Sequence, residues 1–293
     1  MSTMLLVDSC SDLPLDFIEN NLNIIDTIGM TVNIDGKDYY DDFGKTLSHK
    51  EFYGYLRQGI MPKTAQINSY NFLEKFKKHC EKGNSLIYLG FTSGLSGTFN
   101  SAMIAKDMVL EEYPDADITV IDTKCASVGE GVLVIHVVEM IRKGYSKEEI
   151  IKWIQENKMK SNHWFAVNDL NFLKKGGRIS AAKAAVGTML SVKPILTVDD
   201  QGELKQYATV RGRKKSMKFL YDKLTEHMTN PEETIVVIGH GDCLNDAVKI
   251  EKYIHKHLKL KKVVVTELCS TIASHVGPDM ISLAFIGDAR ENK

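Results

Sequence analysis

Three times before residue 145 the chain repeats one order of features: an apolar run with strand character, a turn rich in hydroxyl residues, and a stretch of helical spacing. The stretches are "MLLVDSCSDLPLDFIENN", "SLIYLGFTSGLSGTFNSAMIAKDMVLEEY" and "ITVIDTKCASVGEGVLVIHVVEMIRKG". Such repetition predicts a parallel sheet with helices packed on it. In the first unit residues 4–7 form the strand, Asp12 is placed to cap a helix, and Pro14 stands near that helix's first turn. In the third, Lys143 and Gly144 form a helix stop signal. The carboxyl ends of parallel strands lie along one edge, so Asp8 with Ser9, Thr92 with Ser93, and Asp122 with Thr123 are expected to share it. That edge is where such sheets usually bind ligands.

Between the first two units, "TVNIDGKDYYDD" reads as a hairpin with an Asp-Gly turn, "SHKEFYGYLRQG" as a helix, and "GIMPKTAQIN" as an ordered loop around Pro62. After about residue 160 short β-like pieces dominate: "HWFAVND", "KPILTVDDQGELKQYATV", "TIVVIGH" and "KKVVVTELC". The Asp-Gln-Gly turn between two alternating strands predicts an antiparallel hairpin. A length of 293 residues exceeds the usual single-domain size. The expected fold is therefore α/β: a parallel-sheet domain with flanking helices over residues 1–160, and an α+β domain with a largely antiparallel sheet over residues 161–293. With no long linker between them, the two should pack closely and leave a cleft for a ligand.

Composition narrows the function classes. A net charge of −1 and a charged fraction of 26% give no overall pull toward nucleic acid or an acidic membrane. No apolar run approaches the ~20 residues of a membrane span, and the N-terminus lacks a signal-peptide pattern. The expectation is a cytoplasmic protein with no stable membrane insertion. Five scattered cysteines contain no C-x-x-C pair and read as reduced structural thiols. His255 and His257, two apart in a Lys-rich segment, cannot share a helix face as metal ligands.

The loop "FTSGLSGTFNSA" is the strongest local signal. Its strand ends near Phe91 and a helix can begin at Ser96 or Gly97, so backbone N–H groups, hydroxyls and a positive helix end converge where a phosphate or carboxylate could sit. Alternatively, Ser96 only caps its own helix and the glycines only permit a tight turn. Enzyme motifs fail here: Gly94-Leu95-Ser96-Gly97-Thr98 lacks the last glycine of a nucleophile elbow, and neither G-x-x-x-x-G-K-[ST] nor a complete G-x-G-x-x-G after a strand occurs. A phosphotransferase or hydrolase built on Asp8, Asp122 and the 92–96 loop stays open as the rival reading, though strand-end aspartates more often bond local backbone. "LKKGGRIS" places Lys174, Lys175 and Arg178 about a Gly-Gly turn, before the small-residue segment "AAKAAVG". "VRGRKKS" adds Arg211, Arg213, Lys214 and Lys215; together these basic clusters suit an acidic partner surface but lack the interleaved aromatics of a nucleic-acid site. His275 lies in "STIASHVGPDMISLAFIG" ahead of a Gly-Pro turn. Met103 and Phe165, like other large apolar residues, read as core.

Taken in order, "DSCSDLP", "PKTAQ", "TSGLSGTFNSA", "LKKGGRIS", "KPIL", the Arg211 segment and "SHVGP" resemble the DegV family of bacterial fatty acid-binding proteins, nearly end to end. The resemblance implies a two-domain α/β carrier, not an enzyme, that encloses one long-chain fatty acid as ligand and needs no cofactor or metal. Its partner would be a separate ATP-dependent fatty acid kinase, which phosphorylates the presented carboxylate for phospholipid synthesis. Carried over by motif, Thr64 and Ser96 would contact the carboxylate, with Ser93 and His275 close by, and Arg178 and Arg211 would steady the head group or meet the kinase. Three departures stand out: Ala65 where a serine is common, Thr92 for a usual serine, and "GPDMISLAF" without the glycines usual after Gly277-Pro278. A third reading is a regulatory module for which the lipid is a signal.

Overall fold

The computed structural model describes residues 3–179 and 192–290. Ser180 and the small-residue segment 181–187, singled out in the sequence, lie outside the described residues. In chain order the first part comprises β1 (Thr3–Asp8), α1 (Leu15–Glu19), β2 (Ile25–Ile28), β3 (Thr31–Ile34), β4 (Lys37–Tyr40), α2 (His49–Arg57), β5 (Lys63–Ala65) and α3 (Ser69–Glu81). There follow β6 (Ser85–Gly90), α4 (Thr98–Glu112), β7 (Ile118–Asp122), α5 (Val128–Arg142) and α6 (Lys147–Asn157). The remainder is β8 (Ser161–Ala166), α7 (Asn171–Lys175), β9 (Val192–Val198), β10 (Leu204–Arg211), α8 (Arg213–His227), β11 (Ile235–His240), α9 (Leu244–His257), β12 (Lys262–Glu267), α10 (Ser270–Val276) and β13 (Ile281–Ile286).

The three strand-turn-helix units supply β1, β6 and β7 of a four-stranded parallel sheet, order β2-β1-β6-β7, and β2, outside the three units, adds the edge strand. After residue 160 a six-stranded sheet runs β10-β9-β8-β13-β11-β12, antiparallel throughout except for β11 against β12. The fold class expected from the sequence is the one observed. The Asp-Gly hairpin is present as β3 and β4, but "PKTAQ" is not a loop: β5 pairs with β3 and completes a small third sheet.

Helix α5 shows why the two large sheets cannot part. Its sequence, "VGEGVLVIHVVEMIR", is apolar over its first three turns apart from Glu130 and His136, and every residue from Val128 to Ile135 is buried, the pattern of a helix covered all round. One side packs on β1 and β6 of the parallel sheet and the other on β8, β11 and β13. Val132, Leu133, Val134 and Val137 are fully buried, and each such side chain contributes about 1.5–3 kcal/mol through burial. The apolar clusters around α5 and around the 92–97 loop both take residues from either side of residue 160. Helices α3 and α4 cover the far face of the parallel sheet, and α8 and α9 that of the second sheet.

Contrary to the sequence expectation, Asp12 does not cap the helix next to it. Helix α1 begins after Pro14 with no side-chain cap. Asp12 instead takes a left-handed backbone and turns inward, accepting from the Cys269 N–H at 2.7 Å and from Ser127 Oγ at 2.5 Å. Asp41 accepts from both the N–H (2.8 Å) and the hydroxyl (2.5 Å) of Thr271. Two buried carboxyls from the first half thus hold the start of α10, the helix that carries His275. Burial pushes the Asp12 carboxyl up to about 7 and raises that of Asp41. Replacing Asp41 by alanine strands the buried Thr271 N–H. The expected result is a loss of about 2 kcal/mol of unfolding free energy, seen as a lower urea midpoint at unchanged slope; an unchanged midpoint contradicts this role.

Candidate ligand-binding site

A cavity lies between the two large sheets, where the strand ends of the first half face the later part of β8 and the start of β13. Its volume, with the open space at its mouth included, is about 790 Å³. It forms a channel between the sheets. Most of its wall is apolar, including Met30, Phe91, Phe165, Leu173, Ile272 and Met280. Phe165 therefore faces the cavity, where the sequence reading had it as ordinary core. One group of polar side chains on the wall is Thr64, Gln66, Ser96, Arg178 and His275; Ser127, His163, Thr271 and Ser282 also reach it.

Each polar group is placed by a different element. Thr64 and Gln66 stand two apart in the extended segment of β5, and this period of two turns both to one face. Thr64 Oγ1 lies 2.8 Å from His275 Nε2. The imidazole Nδ1 is buried without a hydrogen-bond partner among the described residues, and Gly176 makes room for it, since a Cβ there would fall 2.3 Å from that atom. Burial, reinforced by the Arg178 charge, brings His275 down to about 4, so its ring is neutral at pH 7.

Ser96 sits just ahead of α4, which starts at Thr98, one or two residues later than the sequence placed it. Its Oγ accepts the Thr98 N–H at 3.2 Å and shares a hydrogen with Thr98 Oγ1 at 2.9 Å. Thr98 Oγ1 in turn accepts from the Ile67 N–H, tying the loop to the segment after β5. Gly97 lets the Gln66 amide close on the loop: a Cβ would lie 2.2 Å from its Oε1 and push that side chain aside. Thr92 Oγ1 donates to the Gly202 carbonyl at 3.1 Å, docking the same loop on the β9–β10 turn.

Arg178 spans the mouth, donating from Nη1 to Gly176 O at 2.6 Å and from Nε to Leu95 O at 3.3 Å. The structure thus gathers Thr64, Ser96, His275 and Arg178. It does not bring Ser93 to them: Ser93 is exposed, its N–H bonds Asp122 Oδ1, and its hydroxyl accepts from Lys124 Nζ. Arg211 ends β10 on the surface, outside the cavity wall, while its neighbour Arg213 binds Asp246 and the Asp279 carbonyl. Gln66 was missed, although it lies in the quoted "PKTAQ" motif at a strand period from Thr64.

The two aspartates of the rival reading are structural. Asp8 is fully buried and accepts from Cys10 N–H, Tyr88 Oη and Phe91 N–H. Burial pushes it up to about 6. Asp122 accepts from Ser93 and Lys124 N–H groups and pairs with the Lys124 ammonium. Neither lines the cavity.

Among known proteins, a DegV domain-containing protein of Clostridium perfringens is 42% identical to this chain over 288 residues, covering 98% of each. Two solved structures match almost throughout. One, a DegV family protein of Thermus thermophilus described by its fatty acid binding, is 27% identical with a TM-score of 0.87, covering 98% of this chain and 100% of the other. The other, a stearic acid-binding protein of Eubacterium ventriosum, is 27% identical with a TM-score of 0.84, covering 98% of both. The family described as "Uncharacterised protein, DegV family" matches residues 2–288. This chain belongs to the DegV family.

Proposed function

We propose that this protein encloses one long-chain fatty acid in the channel, with the carboxylate between Thr64 and Ser96, and presents it to a separate ATP-dependent kinase. The product would be an acyl-phosphate for phospholipid synthesis in the cytoplasm. The observation that carries this reading is the pairing of two hydroxyls, each backed by a second hydrogen-bonding group, on the wall of a largely apolar channel. With Nε2 protonated, neutral His275 donates to Thr64 Oγ1 and leaves the threonine's own hydrogen for the ligand. With Thr98 Oγ1 as the donor of the pair, Ser96 Oγ accepts from both the Thr98 hydroxyl and N–H and keeps its own hydrogen for the ligand in the same way. Two such donors hold a carboxylate without a tight ion pair, which leaves one of its oxygens nucleophilic.

The channel supplies affinity and the hydroxyls supply orientation. A tail of ~16 carbons at about 0.8 kcal/mol per buried methylene brings ~10 kcal/mol of transfer free energy. Retention of the lipid therefore needs no strong head-group bond. Carrier rather than catalyst also fits the sequence, which has no nucleotide-binding motif, and the placement of Asp8 and Asp122 away from the cavity.

Organic extraction and mass spectrometry of the purified protein should yield close to one fatty acid per chain. Thr64→Ala with Ser96→Ala should keep much of that lipid yet lose at least ~10-fold in acyl-phosphate formed with the kinase. An empty wild-type protein that turns over phosphate esters would favour the enzyme reading, and an unimpaired double variant would remove the head-group assignment.

His275 gives a pH signature. Its folded-state value of about 4 lies below the ordinary 6.5, so the stability it contributes is complete above pH 6.5 and is lost as pH falls toward 4. Compared with His275→Gln, the lipid-free wild type should lose roughly 3 kcal/mol over that interval, at ~1.4 kcal/mol per pH unit. Parallel pH profiles for the two proteins would show the ring to be solvated.

A further inference from the structure

Arg290 is a cation that the proposed ligand site does not use. It is 5% exposed, and all five of its N–H donors are taken. Nε donates to Ser161 O at 2.9 Å, Nη1 to Lys124 O at 2.7 Å and Asp199 O at 3.0 Å, and Nη2 to Cys125 Sγ and Lys158 O, both at 2.9 Å. None of these acceptors is a carboxylate. A buried guanidinium satisfied by neutral groups is costly to desolvate, and a lysine, with three donors on one atom, could not reach this spread of acceptors.

The acceptors belong to three separate stretches, and each stretch continues directly into the cavity wall. Lys124 and Cys125 precede Ala126 and Ser127, in a turn where Lys124 and Ser127 both have left-handed φ values (54° and 55°). Non-glycine residues hold such a conformation only where the surroundings enforce it. Lys158 and Ser161 lead into the strand bearing His163 and Phe165. Asp199 lies between Val198 and Leu204, in the turn whose Gly202 carbonyl holds Thr92 and hence the hydroxyl loop. Arg290 itself does not line the cavity. The segment carrying it is fixed from outside: Asp288 N–H donates to His227 O and Arg290 N–H to Met159 O.

We propose that Arg290 is a positioning residue for the ligand channel, a latch that holds three wall segments and, through Thr92, the Ser96 loop in binding register. This rests on the fatty acid reading for its ligand, but the latch itself can be read without one. The full chain is compared as wild type, R290K and R290A by hydrogen exchange of the lipid-stripped protein and by the release rate of a loaded fluorescent fatty acid. In R290A, exchange should quicken selectively in peptides covering 91–97, 124–128 and 198–204, and release should accelerate about 10-fold or more, with R290K intermediate. Millimolar guanidinium should restore R290A, and ethylammonium should not. If the alanine variant does not fold, R290K carries the same comparison. Uniform loosening of the chain, unchanged release with those segments loosened, or no rescue by guanidinium overturns the proposal. A wild type that takes up no fatty acid would overturn the fatty acid reading, and the exchange pattern with its rescue would still decide the latch.

Discussion

The structure depends on one helix being shared by two sheets. Helix α5 is almost wholly apolar over its first three turns because neither face meets water there: β1 and β6 lie against one side, and β8, β11 and β13 against the other. Since the hydrophobic gain scales with area removed from water, this shared layer ties the two halves together more firmly than a polar seam could. The channel exists in consequence. It is the gap left beside the start of α5, where Ser127 and Val128 reach the wall and the strand-end loops of one half face the second sheet of the other.

Within that frame, buried polar groups fix the detail. Asp12 and Asp41 hold the start of α10 across the interface, and α10 brings His275 to Thr64. Thr98 orients Ser96, and Thr92 docks the loop on the β9–β10 turn. Apart from the local Ser96–Thr98 pair, each is a short-range bond between segments far apart in sequence, so small losses in any of them should move the hydroxyls by more than they unfold the chain. That is the behaviour a presenting protein needs: the tail retained by area, and the reactive end aimed by a few directional bonds.

Much of this was legible in the sequence, for identifiable reasons. Periods of two and of 3.6 carry the strand-turn-helix units and the hairpins, because core-facing positions repeat along each element. Loops carry no such period. Ser93 and Ser96 look equivalent in "TSGLSG", yet one points to solvent beside Lys124 and the other into the channel. Asp12 reads as a cap for its neighbour α1, yet its carboxyl bonds the Cys269 N–H ahead of α10, since local capping rules cannot see a segment more than 250 residues away. Phe165 and Met280 could not be told from core, because a wall facing a lipid and a wall facing leucine demand the same side chains. Arg290 gave no sequence signal at all, its partners being backbone carbonyls and one thiol.

The most direct test of the head-group seat is the ¹³C resonance of a carboxyl-labelled palmitate bound to the protein. A carboxylate held by the Thr64 and Ser96 hydroxyls should give one narrow line, displaced from that of free palmitate, which moves on Thr64→Val and on Ser96→Ala and stays in place on Ser93→Ala. A line that follows Ser93→Ala, or that ignores both Thr64 and Ser96, would place the carboxylate elsewhere.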